Sequence, residues 1–295
     1  MDVISPYLLH IGVMTGIYVM LVQSLNIMLG YCGLLSLATP ALFGLGAYAS
    51  TLLCIKLGWD STLTFTCAIA LGAASGVALG IPSLRLSRHS FVIVTLSATL
   101  LLQLIASNWI DLTRGSLGIA DIPTARLLGV AIDGKAAWLV FVTVLALLTI
   151  GATGWIVSSR LGRAMIAVRD NEPLAIAAGF DVLKIRLFAF ACSGAFAGLA
   201  GACYAHYLTF IDPGIFGFAI SESLLVMVIL GGSGTLWGPV VGAIFFTALP
   251  EVLRMAPEVK SLLYGTLLLL IVLFMPQGMA RWFGRPIAAG SGAGK

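Results

Sequence analysis

The sequence predicts an all-α polytopic membrane protein with about eight or nine transmembrane helices, some of them broken by Gly and Pro, and one charged cytoplasmic loop. Of its 295 residues, 60% are hydrophobic and only 9% are charged, and the mean hydropathy is +1.07. Soluble domains are about one quarter charged. Eight charged residues are concentrated in the charged loop, 158–186, between long apolar segments. We therefore assign 1–280 to a transmembrane domain that contains this loop, and 281–295 to a short cytoplasmic tail that its Gly and Ser predict to be flexible.

Eight apolar segments have the length of roughly 20 residues that a helix needs to cross a bilayer. They are 6–29, 34–56, 61–82, 90–108, 136–157, 187–209, 236–254 and 259–277. No basic residue precedes the first segment, so we expect it to be retained as a helix and not cleaved as a signal peptide. A ninth run, 218–230, either crosses as a short helix or enters the membrane and returns.

The distribution of Lys and Arg orients these segments, because both residues are enriched in short cytoplasmic loops. If the charged loop is inside and 218–230 crosses, the N-terminus lies outside and the C-terminus lies in the cytoplasm. Ten Lys and Arg residues are then inside and six are outside. Eight crossings give a weaker asymmetry, so we prefer nine. The same bias explains the formal net charge of +4 without a nucleic acid partner.

Gly and Pro cluster inside two of the apolar zones. The first break contains Gly30 and Gly33, and the second contains Gly231 and Gly234. Non-helical backbone at membrane depth is tolerated where it is buried in protein or lines a wet cavity, and paired breaks are typical of a transport path. The alternative is that these glycines only allow close helix packing. We place the path beside the first break, with four candidate polar residues as its lining: Asn26, Ser36, Thr39 and Thr95. For Asn26 the alternative is a bond to a neighbouring helix.

The residues that would indicate an enzyme are missing from the sequence. It has no phosphate-binding G-x-x-x-x-G-K-[ST] string, no paired carboxylates and no His/Cys cluster that would predict a metal site. The five cysteines lie in apolar segments and are interpreted as small core residues. Ionisable groups within the spans, which ion-coupled carriers usually contain, are also scarce. We therefore expect no catalysis and no cofactor on this chain, and an energy source on a partner.

Glu222 is the one acidic residue clearly inside an apolar run. We interpret it as structural, a carboxylate near the start of the short helix at 218–230, where free N–H groups favour a negative charge. The alternative is a carboxyl group that carries a coupling proton in a secondary carrier.

The charged loop has its own helical pattern. Apolar residues at 164, 165 and 168 share one face of a helix. Asn171 can then cap a second short helix, Pro173 suits its first turn, and Gly179 suits its end. Two short helices with a kink would fit a groove of a cytosolic partner. The alternative is an interfacial helix that only lies on lipid.

The same loop shows a resemblance to a known family. The string Pro173-Leu-Ala175-x-x-x-Gly179 resembles a degenerate form of the E-A-A-x-x-x-G coupling loop of ABC importer permeases. Further matches follow in order along most of the chain: Gly30-Tyr-Cys-Gly33, Phe43-Gly-Leu-Gly-Ala-Tyr48, Ala195-Phe-Ala-Gly-Leu-Ala-Gly201 and Gly231-Gly-Ser-Gly-Thr-Leu-Trp-Gly-Pro239. Together they make the chain similar to the branched-chain amino acid importer permeases, and to the second, LivM-like, of their two permease types.

The resemblance implies a multi-pass subunit in the inner membrane of a bacterial cell, for branched-chain or other hydrophobic amino acids. It implies a homologous second permease, two cytosolic ATPase subunits that bind ATP and Mg²⁺, an extracytoplasmic binding protein, and membrane lipid around them. The family pattern is altered at Leu34 and at 38–40. Urea, amides or other small organic solutes therefore stay open as alternatives, as does an ion-coupled secondary carrier.

The resemblance also implies that the charged loop docks the ATPase. We expect Arg163 and Arg169 to meet acidic groups or helix ends of the ATPase, and a small apolar face to pack into its groove. The residues expected at this contact are Arg163, Ala164, Met165, Val168, Arg169, Glu172, Pro173, Ala175 and Gly179. A bulky residue at Ala175 or Gly179 should overfill the contact.

Overall fold

The computed structural model describes residues 6–127 and 130–252 and consists almost entirely of helices. The first helix, α1 (Pro6–Asn26), continues as one π-helical turn, Ile27–Tyr31. Then come the long helices α2 (Thr39–Leu57), α3 (Ser61–Ser83) and α4 (Arg88–Asn108), a connecting segment with little helix, and, within the described residues, six further helices. The predicted span 259–277 and the tail 281–295 lie outside the described residues.

The later helices are arranged around the charged loop. They are α6 (Lys135–Ser158), α7 (Arg160–Asp170), α8 (Glu172–Ala177), α9 (Val182–Leu208), α10 (Phe218–Gly231) and α11 (Gly238–Val252). Within the described part, six helices have the length and composition to cross a membrane, and two shorter apolar helices follow, in α10 and α11. The all-α polytopic class is therefore confirmed, and each predicted span in the described part corresponds to a helix.

Two helices begin five residues away from the start that the sequence predicted. The predicted span 34–56 starts as a helix only at Thr39, because 32–38 is not helical. The predicted span 187–209 starts earlier, at Val182, because the side chain of Asp181 accepts a hydrogen bond from the Lys184 N–H and caps α9. Polar and charged residues can thus extend a membrane helix beyond its apolar part.

The core forms around α9, which packs against α1, α2 and α3. Gly72 of α3 and Gly194 of α9 lie so close that a Cβ on either would meet the backbone carbonyl of the other. Aromatic pairs join further helices, such as Phe43 of α2 with Tyr204 of α9 and Phe91 of α4 with Phe190 of α9. Small residues and edge-to-face aromatic pairs therefore fix the helix positions where lipid exerts no hydrophobic driving force.

The segment between α4 and α6 contains the short helix α5 (Ile110–Thr113), a 3₁₀ turn at Gly115–Leu117 and three two-residue strands. The strands are β1 (Ile119–Ala120), β2 (Arg126–Leu127) and β3 (Val130–Ala131). β1 pairs antiparallel with β4 (Phe210–Ile211), which follows α9, and β2 pairs antiparallel with β3. A 3₁₀ turn, Pro213–Phe216, then leads into α10. The pairing of β1 with β4 joins the segment between α4 and α6 to the end of α9, on the face of the protein opposite the charged loop.

Candidate functional site

The second helix of the charged loop is bounded by the residues that the sequence indicated, and the first begins at a cap, Ser159, that the sequence did not indicate. The Ser159 hydroxyl accepts a hydrogen bond from the Gly162 N–H and caps α7, and the Asn171 side chain accepts from the Leu174 N–H and caps α8. Gly179 has φ +86° and follows Ala178, the C-cap of α8. Its N–H donates to the Ile176 carbonyl, while the Phe180 N–H donates to the Ala175 carbonyl, as in a Schellman motif. The prediction of two short helices with a kink is confirmed.

The apolar face of α7 points inward, so the prediction that it packs into a partner was wrong. Met165 and Val168 are fully buried and Ala164 is nearly so. These side chains belong to one hydrophobic cluster with residues of the π turn, the first break and α9: Ile27, Met28, Cys32, Leu34, Ile185, Ala189 and Phe190. Ala175 of α8 is buried in the same cluster. An apolar stripe on a helix predicts that the face is covered, but it does not tell whether the same chain or a partner covers it. The covering chain was therefore predicted incorrectly for α7.

A second apolar face, which the sequence analysis missed, is exposed on the outer side of the charged loop. Leu174 is 65% exposed and Ile176 is 58% exposed. Leu161, Phe180 and Leu183 are exposed as well. Gly179 lies in open space, since a Cβ there would meet no atom within 4 Å. The charged loop therefore presents bulky apolar side chains, beside its charges, on a surface that the membrane domain does not cover.

The charges of the loop form three close pairs. Arg186 Nη2 lies 2.6 Å from Glu172 Oε2, Arg169 Nη2 lies 2.9 Å from Asp170 Oδ1, and Lys184 Nζ lies 3.0 Å from Asp181 Oδ2. The hydrogen bond from the Lys184 backbone N–H, with further help from its side chain, lowers the pKa of the Asp181 carboxyl. The first of these pairs faces a cavity of about 290 Å³ beside Leu34.

Arg163 and Arg169 have different environments, although the sequence grouped them. Arg163 is exposed, and its Nη1 donates a 2.8 Å hydrogen bond to the Ser158 carbonyl at the end of α6. Arg169 is partly buried, and its Nη1 donates a 2.6 Å hydrogen bond to the carbonyl of Gly30 in the π turn. Arg163 is free to meet a partner, whereas Arg169 reaches into the membrane domain.

The first break is held by hydroxyl groups from two other helices. The Leu37 N–H donates to Thr95 Oγ1, at 3.2 Å. The Leu37 carbonyl accepts from Thr99, at 2.9 Å, and from Ser221, at 3.3 Å. Ser36 is buried and its Oγ accepts from the Ala38 N–H. Buried side chains thus replace the missing helical bonds, so this break is enclosed in protein, one of the two settings expected for it.

All four residues that were predicted to line the path are buried in this conformation. Thr95 and Ser36 make the bonds just described. The Thr39 hydroxyl is buried with no hydrogen-bond partner among the described residues. Asn26 is engaged at both ends of its amide, because Nδ2 donates to the Thr235 carbonyl and Oδ1 accepts from the Gly234 N–H, each at 2.9 Å. The prediction that Asn26 lines the path is wrong for this conformation, and its alternative, a bond to a neighbouring segment, holds.

The structure brings three of the predicted features to one point. Asn26 and Gly30 at the end of α1, Gly234 in the second break, and Arg169 in the charged loop are neighbours. A Cβ on Gly30 would meet both Asn26 Oδ1 and the Gly234 nitrogen. The aliphatic stem of Arg169 covers Gly33, whose added Cβ would lie 2.6 Å from Arg169 Cγ. Arg169 and Gly30 are 139 residues apart in the sequence, and Asn26 and Gly234 are 208 apart. No local sequence pattern predicts contacts between residues so distant.

Glu222 does not cap α10, which corrects the predicted reason for its role. The helix begins at Phe218 with Gly217 at the N-cap and has no acidic residue in its first turn. Glu222 is exposed one turn later and has no ion pair with another described residue. A carboxylate facing hydrocarbon is costly, so this face of α10 is expected to meet water or another chain. Gly231, at the other end of α10, packs directly against the Gly238 carbonyl.

The described residues hold no group of three or more His, Cys, Asp or Glu that could bind a metal ion. All five cysteines are free. Two of the histidines have structural contacts: His10 Nδ1 lies 2.8 Å from the Tyr207 hydroxyl, and His206 Nδ1 lies 2.8 Å from the Pro123 carbonyl. The contacts described above consist of hydrogen bonds, ion pairs, apolar faces and helix breaks.

Known permease proteins are similar to this chain over most of its length. The profile of a family described as the permease component of the branched-chain amino acid transport system matches residues 7–272. The high-affinity branched-chain amino acid transport system permease protein LivM of Escherichia coli strain K12 is 31% identical over 94% of this chain and 70% of its own length. The corresponding permease protein LivH of that strain is 26% identical over 91% of this chain and 92% of its own.

A permease of an import system that is named for a different solute is also similar. The autoinducer 2 import system permease protein LsrC of Escherichia coli strain K12 / DH10B is 28% identical over 77% of each chain. No solved structure shows significant similarity to the chain.

Proposed function

Because the chain belongs to the family of branched-chain amino acid transport permease components, we propose that it is a membrane subunit of an ATP-driven importer for branched-chain or related hydrophobic amino acids. Its relatives include both permease types of such a system, which supports a second, homologous permease as partner. The importer would also contain two cytosolic ATPase subunits, which bind ATP and Mg²⁺, and an extracytoplasmic binding protein. This chain contributes the path and the ATPase contact and carries no catalytic group.

The observation that carries the proposal is the two-sided charged loop. Its inner face, with Met165 and Val168, is fixed in the core of the membrane domain, while Leu174 and Ile176 are exposed on its outer face. Burial of one such aliphatic side chain stabilises a contact by roughly 1.5–3 kcal/mol. A cytosolic subunit that covers the outer face can therefore move the loop, and the inner face passes that movement to the helices around it.

A cytoplasmic C-terminus is part of the proposal and requires both a crossing 218–230 segment and the predicted span 259–277, which lies outside the described residues. The end of α1 and the loop after α10 both contact Arg169 of the charged loop, so these three segments lie on one side of the membrane domain. The helix α10 is only 14 residues long, about 21 Å at 1.5 Å per residue. It nevertheless reaches the side of the charged loop, in agreement with a crossing 218–230 segment. With the charged loop inside, the N-terminus is outside.

Importers of other small solutes remain the second candidate. The similarity to a permease of an autoinducer 2 import system supports this candidate, because proteins similar to this chain are named for more than one solute. An importer for urea, amides or a similar polar solute would keep the same ATPase contact and differ only in the path and the binding protein.

ATP-driven uptake in proteoliposomes tests the proposal. The chain is reconstituted with the second permease, the ATPases and the binding protein encoded with it, and uptake of radiolabelled leucine is followed. We expect uptake that requires ATP and continues when proton and sodium gradients are collapsed. Uptake that needs a gradient and proceeds without the ATPases would identify a secondary carrier. ATP hydrolysis stimulated by urea or an amide, but not by leucine, would identify the second candidate.

A further inference from the structure

Arg169 connects the charged loop with the end of α1. Its Nη1 donates a 2.6 Å hydrogen bond to the Gly30 carbonyl. The helix ends at Tyr31, so this carbonyl is among the last of the helix, which lack partners within it. Arg169 Nε and Nη2 are meanwhile held at 2.9 Å by Asp170. The guanidinium is therefore oriented by its own loop and satisfies a carbonyl of another helix.

The end of α1 in turn holds the second break. Asn26 binds the Gly234 N–H and the Thr235 carbonyl. Gln23, one turn earlier, donates a 2.8 Å hydrogen bond to the Leu236 carbonyl. Three side-chain bonds from a single face of α1 thus fix the backbone that joins α10 to α11. That backbone cannot shift independently of α1 without leaving buried amide groups unpaired.

The two contacts meet at Gly30 and Gly234. A Cβ placed on Gly234 would lie 2.9 Å from Arg169 Nη1 and 3.0 Å from the Gly30 carbonyl oxygen. The absence of side chains at both glycines allows the loop, α1 and the second break to approach within hydrogen-bonding distance of one another. We define Asn26, Gly30, Arg169 and Gly234 as the junction.

We propose that Arg169 is a positioning residue that transmits displacement of the charged loop to both helix breaks through the junction. The inference rests on the proposed function, because it requires an ATPase that moves the loop. Met165 and Val168 pack in one buried cluster with Ile27 and Met28, but apolar packing is non-directional and does not by itself specify which backbone groups of α7 and α1 face each other. A directed, charge-assisted hydrogen bond fixes the register between them. A movement of α7 that keeps this bond must carry Gly30, and with it Asn26 and the second break.

The coupling ratio of the assembled transporter tests this role. Arg169→Gln is compared with Arg169→Lys, which keeps a charge and a donor, and with Lys184→Gln, which alters an exposed cation of the same loop. For Arg169→Gln we expect an assembled complex whose ATP hydrolysis persists while leucine uptake falls about tenfold, equivalent to about 1.4 kcal/mol of coupling. ATP consumed per leucine then rises by the same factor. Arg169→Lys should fall between the parent and Arg169→Gln, and Lys184→Gln should match the parent.

An unchanged ratio in Arg169→Gln would overturn the proposal, including the case in which hydrolysis and uptake fall together, as loss of ATPase docking predicts. A second measurement uses the unaltered chain. Cys32 is buried beside the junction, and its alkylation by N-ethylmaleimide is quantified by mass spectrometry with and without a non-hydrolysable ATP analogue. We expect the nucleotide to change the alkylation rate of Cys32, and an unchanged rate contradicts the proposal.

The two measurements separate this inference from the proposed function. If the complex fails to take up leucine but nucleotide alters Cys32, the amino acid assignment fails and the junction stands. If leucine is taken up with ATP but nucleotide leaves Cys32 unchanged, the assignment stands and the junction is refuted.

Discussion

Glu172 and Arg186 form an ion pair of 2.6 Å that joins α8 to the start of α9. The Arg186 side chain is largely buried, and its Nε has no partner among the described residues. The pair therefore holds α8 against the start of α9, whereas Arg169 holds α7 against the π turn through the Gly30 carbonyl.

Loss of Glu172 is expected to destabilise the chain, because it leaves the Arg186 charge buried without its partner. We expect Glu172→Ala to lower the stability of the purified chain by about 1–2 kcal/mol, less than a fully buried pair would lose, since Glu172 is one-third exposed. The midpoint of thermal unfolding in detergent measures this. The control is Lys184→Ala, which breaks the exposed pair with Asp181 and should change stability by less than about 1 kcal/mol. Equal midpoints for the two variants would contradict the prediction.

The exposed apolar face of α8 is expected to be the main contact with the ATPase. Leu174→Asp combined with Ile176→Asp should weaken co-purification of the ATPase by more than about tenfold, because each aliphatic side chain contributes roughly 1.5–3 kcal/mol when it is buried. The stability of the isolated chain should not change, because both residues are exposed in it. Leu117→Asp, on the exposed 3₁₀ turn of the opposite face, is the control for the introduced charge. Retention of the ATPase by the double variant would show that another surface docks it.

The features of the site that the sequence predicted correctly depend on residues that are close together in the chain, and those that it did not predict depend on distant residues. The caps at Asn171 and Gly179, and the position of the first break, follow from local chemistry, because Asn, Pro and Gly act on backbone within a few residues. The role of Asn26 depends on Gly234, which is 208 residues away. The direction of Met165 depends on whether this chain or another covers it. No periodicity within α7 carries that information, and so both interpretations failed.

Gly179 is expected to be required for its backbone conformation. The surrounding space is open, so the prediction that a bulky residue overfills a contact does not apply within this chain. Its φ of +86° instead disfavours residues with a Cβ, by roughly 1–2 kcal/mol. Gly179→Val should therefore lower the thermal midpoint of the isolated chain, whereas Gly179→Asn, which tolerates the left-handed region, should lower it less. If Gly179→Val and Gly179→Asn have the same thermal midpoint, the end of α8 adapts to a side chain and the glycine is not needed for its conformation.

Glu222 is expected to play no part in energy coupling. In proteoliposomes, both the parent and Glu222→Gln should take up leucine with ATP in the absence of any proton gradient, and at similar ATP consumed per leucine. The neutral isostere keeps the size of the side chain and removes its charge, so it tests for proton coupling without a change in packing. Uptake that depends on a gradient in the parent, and is abolished in Glu222→Gln, would overturn both this role and the ATP-driven assignment.

The first break is expected to open during transport, since its polar residues are closed off in this conformation. Leu35 is 36% exposed and its neighbour Ser36 is 3% exposed, with the Ser36 hydroxyl bonded to the Ala38 N–H. Without nucleotide, a cysteine in place of Leu35 should react with a small polar thiol reagent and a cysteine in place of Ser36 should not. During ATP turnover Ser36→Cys should become reactive, because a path beside 32–38 must expose this backbone to solute. The two adjacent positions control for reagent access, and mass spectrometry separates them from Cys32. A Ser36→Cys variant that stays unreactive in every state would mean dry packing, and would move the path away from the first break.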